Sequence, residues 1–268
     1  MTLVMGVLNV TPDSFSDGGR WASTEAAVQH AVDLIADGAD LIDVGGESTR
    51  PGADRVSPGL EQDRVLPVIA ELSRLGIRTS VDTLNARTAE LAADAGVDII
   101  NDVSGGLADP DMAAVVARTG LTYIAMHWRG HARTMDTLAD YDDVVDTVVA
   151  ELTGRVTALE AAGVQRGQIV LDPGLGFSKD ADQNWRVFAR LDAFAPLGLP
   201  VMVGASRKRF LAGVLPADAA IIDRDLPTAV LSVLAAQAGA WAVRVHDVAG
   251  SRAALNVLVR VDSARIGS

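Results

Sequence analysis

One pattern constrains this chain more than any other. Eight short apolar runs recur along it, at 3–9, 40–44, 78–82, 98–102, 122–127, 168–172, 201–204 and 241–246. Each is followed by a polar or Gly-rich turn and then by a segment with helical spacing. The runs are almost continuously apolar rather than alternating, which is how parallel strands covered on both faces read. The intervening segments carry helix punctuation. An apolar stripe over 26–35 stops at Gly38, and Ser57-Pro58 is a cap followed by a first-turn proline. Asp109-Pro110 repeats that start, and the helix it opens stops at Gly120. Further helices are expected over 86–95, 144–162, 184–191, 226–238 and 251–259.

Eight strand–helix units in 268 residues, with no second composition regime, predict an α/β fold: a (β/α)8 barrel, or TIM barrel, as a single domain over 1–268. A doubly wound sheet is the alternative. The stretches 130–141 and 216–226 are longer polar insertions. The loops 11–23 and 45–57 are rich in Gly, Pro and Ser, and long loops of this kind often carry function.

Composition removes several classes of partner. The formal net charge is −12, which argues against nucleic acid and anionic membranes, since both need clustered basic surface. No stretch of 18 apolar residues occurs, so no membrane span is expected. The first strand starts almost at Met1 without a basic leader, which makes a cytoplasmic location the expectation. There is no cysteine, so thiolate metal sites and cysteine nucleophiles are excluded.

In a barrel, chemistry collects where the strands end. The polar residues at those ends are Asn9, Asp43, Asp82, Asn101, Asp102, His127, Asp172, Ser206, Lys208, Arg244 and His246. Carboxylates and an amide suit a heterocycle with several N–H donors, while Lys, Arg and His suit an anion. Together they imply a ligand with a polar ring and a phosphate-like group. Asp82 and Asp172 close their runs and read as functional. Asp43 and Asp102 are followed by valines still within the strand, so they read first as structural. Arg244 and His246 are two apart and share a strand face. A buried arginine needs an anionic ligand or a carboxylate beside it, and an ion pair with a barrel Asp is the plainer account of Arg244. The N–H groups of a helix starting near Ser251 would add to an anion site there.

Three other patterns carry less. Lys208, in the run Ser206-Arg207-Lys208-Arg209, has the position of an imine-forming lysine, or of one charge in a solvated loop. Gly174-Leu175-Gly176 is half of a dinucleotide fingerprint, but Lys179 stands where the third glycine belongs. His127 and His131 have a zinc-like spacing without an adjacent Glu.

Seven segments, each at a strand end and in order, resemble bacterial dihydropteroate synthase. They are Met5 to Asp17, Asp43 to Gly52, Ser80 to Thr83, Ile100 to Gly105, Leu171 to Phe177, Gly204 to Phe210 and Arg244 to His246. The resemblance covers nearly the whole chain, without a departure at the motif positions. It implies a barrel enzyme that joins 4-aminobenzoate to 6-hydroxymethyl-7,8-dihydropterin diphosphate in folate synthesis. By that resemblance Asp82, Asn101, Asp172 and Lys208 hold the pterin, with Met126 lining the ring pocket. Arg244 and His246 bind the diphosphate, and Asn9 helps to hold Mg2+. Thr49 and Arg50 complete the anion site from the second loop. Phe15, Pro51, Phe177 and Ser206 shape the aminobenzoate site. Asp82, Lys208 and Arg50 are the residues expected to act in the chemistry, and a homodimer is expected. The alternatives are an aldolase working through an imine at Lys208, a pterin-dependent methyltransferase domain, and a non-catalytic pterin binder.

Overall fold

The computed structural model describes residues 1–11, 19–47, 56–131 and 134–266. Strands and helices alternate: β1 (Leu3–Asn9), α1 (Gly19–Ala36), β2 (Leu41–Gly45), α2 (Pro58–Arg74), β3 (Thr79–Asp82), α3 (Ala86–Asp94), β4 (Ile99–Asp102) and α4 (Met112–Thr119). They continue with β5 (Thr122–Met126), α5 (Val144–Ala161), β6 (Ile169–Asp172), α6 (Ala181–Ala189), β7 (Met202–Val203), α7 (Asp225–Gln237), β8 (Ala242–Val245) and α8 (Val248–Ile266). All eight expected strands are present, each within about a residue or two of its predicted span.

The strands form one parallel sheet in the order β6-β5-β4-β3-β2-β1-β8-β7. The two ends meet. Leu171 bridges to Val201, and the Leu171 amide donates to the Pro200 carbonyl at 2.8 Å. That contact closes the sheet into the (β/α)8 barrel, so no strand edge is left open.

The barrel wall separates two apolar regions. Between sheet and helices lies the larger core, in which Val4, Leu8, Ile42, Val44, Val81 and Ile100 face Val65, Ile69, Leu72 and Val116 of the helices. Inside the barrel, Met5, Leu41, Ile99, Ile124, Val170, Met202 and Ala242 fill the lumen. Side chains alternate along a strand, so the next inward position above this plug is two residues on. Those positions are Val7, Asp43, Asn101, Met126, Asp172, Gly204 and Arg244. An apolar floor thus carries a polar layer toward the C-terminal ends of the strands.

Several helix boundaries differ from expectation for identifiable reasons. Ser57 caps α2 as expected, its hydroxyl accepting from the Leu60 amide. Asp109-Pro110, by contrast, does not begin α4, which starts at Met112. One Asp109 oxygen accepts from the Ala86 amide at 2.8 Å and so serves the first turn of α3. The other accepts from the Asp111 amide. Capping here is a tertiary contact that the local sequence does not record. α6 begins three residues earlier than expected, at a capping box made by Asp180 and Gln183. Pro227 lies in the first turn of α7, where an amide would have no helical acceptor and a proline costs nothing. α8 starts at Val248 rather than Ser251. The amides of Gly250 and Ser251 both donate to Asp247, so these two N–H groups serve that residue rather than the anion expected near Ser251.

The lumen plug sets the depth of the polar layer. Ile124 is fully buried there, and Ile124→Ala is expected to cost about 2–5 kcal/mol, measured as a lower urea midpoint with an unchanged slope.

Candidate active site

The site is a cup at the C-terminal ends of the strands, and its centre is an arginine. Arg244, inward on β8, donates through Nε to Asp43 Oδ2 at 2.6 Å and through Nη2 to Asp82 Oδ2 at 2.9 Å. Asp43 is completely buried and Asp82 nearly so. Asp43 Oδ2 also accepts from Asn101 Nδ2 at 3.2 Å. One carboxylate therefore ties together the residue expected to bind the ring and the residue expected to bind the anion. The ion pair with a barrel Asp is what the structure shows for Arg244. Of the five guanidinium N–H groups two are spent on carboxylates, which leaves donors for a ligand.

Two buried carboxylates flank a single guanidinium, so the cluster carries an excess negative charge. Burial raises the Asp82 carboxyl to about 7, against the pull of Arg244 and with the help of the Asp43 charge. The physical cause is desolvation first and like-charge repulsion second.

Across the cup, Asp172 ends β6. It is buried, its Oδ1 accepts from the Gly174 amide at 2.8 Å, and burial raises its carboxyl above the usual range while Lys208 opposes the rise. Lys208 reaches back from beyond β7 to donate to the Leu175 carbonyl and stands 4.6 Å from the centre of the Phe177 ring. Burial brings its amine down to about 8, against the charge of Asp172. Gly204 lies between them: a Cβ there would sit 3.5 Å from Asp172 Oδ2 and 3.8 Å from Lys208 Nζ. Neighbouring positions of the basic run go elsewhere. Arg207 is held in a left-handed conformation and pairs with Asp225 at the start of α7 through Nε at 2.6 Å and Nη2 at 2.7 Å.

The remaining strand ends complete the rim. Ser206 Oγ lies 2.9 Å from His246 Nδ1 and accepts from the His246 amide at 3.1 Å. Asn9 is half-buried at the end of β1, where a Cβ on Gly45 would lie 3.9 Å from its Oδ1. Met126 is buried at the end of β5. Nine of the expected residues are thus gathered at one end of one barrel beside Phe177: Asn9, Asp82, Asn101, Met126, Asp172, Ser206, Lys208, Arg244 and His246. Phe15, Thr49, Arg50 and Pro51 lie outside the described residues.

A cup that sets carboxylates and an amide beside Arg, His and Lys suits a polar bicycle with an anionic leaving group. The comparisons with known proteins fit this geometry. Residues 5–246 match the pterin binding enzyme family. The chain belongs to that family, in its dihydropteroate synthase branch. Dihydropteroate synthase of Mycobacterium leprae is 49% identical over 260 residues, covering 95% of this chain and 92% of that protein. The Xanthomonas albilineans dihydropteroate synthase solved with 4-aminobenzoic acid has a TM-score of 0.90 at 41% identity, covering 97% of this chain and 93% of the other. The same organism's enzyme in complex with 7,8-dihydropteroate gives 0.87 at 38%, covering 97% and 94%.

In this dihydropteroate synthase cup Asp43 has the structural part expected for it, as the barrel Asp that pairs with Arg244, and it holds Asn101 as well. Its inward parity with Leu41 was the available signal for those partners. Asp102 is structural as expected. It points outward and accepts from the Ser104 amide and hydroxyl, the Gly106 amide and the Tyr123 hydroxyl. His127 is no zinc ligand: its ring nitrogens meet Glu151 at 2.8 Å and Lys179 at 2.9 Å. Among the described residues no group of three or more His, Asp or Glu is placed to hold a metal.

The raised Asp82 pKa gives a signed expectation. The folded protein keeps a proton on this carboxyl that the unfolded chain loses near pH 4, so its contribution to stability falls as pH rises from about 4 to 7. Asp82→Asn removes that loss. The unfolding midpoint of the variant should gain on the wild type between pH 5 and pH 7.5, and a constant difference across that range would contradict the assignment.

Proposed function

We propose that this cup catalyses the dihydropteroate synthase reaction, with the pterin lying on the lumen plug and its diphosphate at the rim. The chain joins 4-aminobenzoate to 6-hydroxymethyl-7,8-dihydropterin diphosphate and releases diphosphate, giving 7,8-dihydropteroate. The observation that carries the assignment of roles is the Arg244–Asp43–Asn101 connection, with Asp172 and Lys208 facing it across the cup.

Asp172 accepts from the adjacent donors of the pterin's aminopyrimidinone edge, and Asn101 both donates and accepts there. Met126 packs on the flat ring. Lys208 donates to the ring's acceptor side. Arg244 and His246 face the diphosphate, whose charge grows as the C–O bond breaks, so donors fixed beforehand lower the barrier. Loss of diphosphate first leaves a cation spread over the pterin and its methylene carbon. Asp82, held beside Arg244, offsets that charge. The arylamine then attacks the methylene carbon, and the C–N bond forms as the amine's proton passes to the departing diphosphate or to water. An arylamine is mostly neutral at pH 7, so the step needs no strong base. Phe15, Phe177, Pro51 and Ser206 shape the seat of 4-aminobenzoate, and Thr49 and Arg50 complete the anion site.

Mg2+ is part of this proposal. The Asn9 carboxamide oxygen, at the end of β1, offers the hard oxygen chemistry that the ion accepts, and Mg2+ needs few protein ligands when substrate phosphates supply the rest. Bound there, it would neutralise charge on the diphosphate.

No helix among the described residues is long and apolar enough to cross a membrane, and a cytoplasmic site of action belongs to the same proposal. So does a homodimer. Val230 and Leu234 on α7 and Val257 and Val261 on α8 are 44–64% exposed on neighbouring helices. A second copy of the chain is the partner that would cover this apolar face.

Purified protein supplied with both substrates and Mg2+ should release diphosphate and form dihydropteroate. Release without 4-aminobenzoate consumption would favour simple hydrolysis. Asp172→Ala is expected to weaken pterin binding by about 2–5 kcal/mol, and unchanged affinity by calorimetry would remove Asp172 from the ring site. Light scattering should give twice the 27.9 kDa chain mass, with a monomer rejecting the dimer.

A further inference from the structure

The half-fingerprint Gly174-Leu175-Gly176 ends in a lysine that the reaction does not use. Lys179 is only 6% exposed, although an ammonium is costly to bury without partners. All three of its donors are spent within its own neighbourhood. Nζ lies 3.0 Å from the Gly174 carbonyl, 3.2 Å from the Phe177 carbonyl and 2.9 Å from His127 Nδ1. Burial brings the amine down to about 7, against the charge of Asp172.

The His127 contact leads outward. An ammonium only donates, so Nδ1 accepts and Nε2 carries the proton toward Glu151 Oε2 at 2.8 Å. Burial and the nearby Lys179 lower His127 to about 4, which keeps the ring neutral. Glu151 is held ionised, its carboxyl lowered to about 2, chiefly by the His127 hydrogen bond and then by Arg129. The chain thus runs from a carboxylate on α5 through a neutral imidazole to a buried ammonium.

The loop it grips is unusually wound. Gly174, Gly176 and Ser178 all have positive φ, at 69°, 78° and 47°. For Ser178 that conformation is strained and needs outside support. Its carbonyl accepts from Tyr141 at 2.8 Å. A Cβ at Gly174 would meet the His127 carbonyl at 2.4 Å, so the loop is also pressed against the end of β5. Lys208 takes the carbonyl of Leu175 between the two carbonyls that Lys179 holds.

We propose that Lys179 is a positioning residue: its clasp on the Gly174 and Phe177 carbonyls, anchored through His127 to Glu151, fixes the Phe177 ring against Lys208 and so sets the seat of 4-aminobenzoate. This rests on the reading above that Phe177 shapes that seat. The ring-binding carboxylate, Asp172, is placed first by its strand, and only its contact with the Gly174 amide belongs to the clasped loop, so loss of the clasp acts more on the second substrate than on the first.

The test uses full-length Lys179→Met, Glu151→Gln and Phe177→Leu with both substrates. Lys179→Met should raise KM for 4-aminobenzoate about tenfold or more, while Kd for the pterin diphosphate changes less than about threefold. Glu151→Gln, which lies out of reach of either substrate, should shift the same KM in the same direction by a smaller factor, and it decides the matter alone if Lys179→Met does not fold. Equal losses in both substrates, or a fall in kcat at constant KM, would overturn the proposal. So would a raised KM in Phe177→Leu with none in the other two. An unchanged KM in Phe177→Leu would instead remove the aminobenzoate reading of this loop, and the positioning role with it.

Discussion

The pairing of Arg244 with Asp43 and Asp82 is the constraint from which the rest of the cup follows. A guanidinium inside a barrel is tolerable only if its charge is met at short range. The strands meet it by placing two carboxylates on neighbouring β2 and β3, where parallel register puts Gly45 opposite Asp82 and Asp43 opposite Ser80. The absence of a side chain at Gly45 opens the path between them. With Arg244 fixed, Asp43 fixes Asn101 as well, and four strands share one hydrogen-bonded cluster before any ligand arrives. Preorganised donors of this kind cost little to use at the moment of reaction.

This cluster needs the apolar plug below it. Met5, Leu41, Ile99 and Ile124 are fully buried in the lumen. They keep water from the underside of Asp43, so its attraction to Arg244 acts in a medium of low effective dielectric. The same desolvation raises Asp82 and Asp172 and lowers Lys208. The perturbed groups gather where the polar layer meets the plug, as is common at sites that do chemistry.

Much of this was legible in the sequence, and the part that was not has a common cause. Periodicity located all eight strands, because both faces of a parallel sheet are buried and the apolar runs are unbroken. The strand-end rule placed Asp82, Asp172 and Lys208 at one mouth, because position along a strand is a local property. The partners of Asp43 were not legible, because Arg244 lies 201 residues away. Asp109 was misassigned because it serves α3 rather than its own helix. In each case the deciding hydrogen bond joins residues far apart in sequence that only the packing of strand–helix units brings together. The pairing of His127 with Lys179 belongs to the same class, and an i, i+4 histidine spacing was no guide to it.

Placement by strands and placement by loops divide the two substrates between them. The ring-binding groups Asp82, Asn101 and Asp172 are the last residues of their strands, or next to last; β3 and β4 are laddered on both sides, and β6 is laddered to β5 and bridged to the β7 side at Leu171. Phe177 stands five residues beyond β6, on backbone that includes a strained serine, and no ladder supports it. A loop of that kind holds its shape only through side chains that reach its carbonyls, and here two buried amines do so from opposite sides. Such an arrangement is costly, since each ammonium loses its hydration, and an apolar brace would be cheaper. What the amines supply is directional: a carbonyl points toward a cation, so the three clasped carbonyls of residues 174, 175 and 177 determine which way the intervening side chains face. The rigidity of the first substrate's seat comes from the sheet, and that of the second comes from charge.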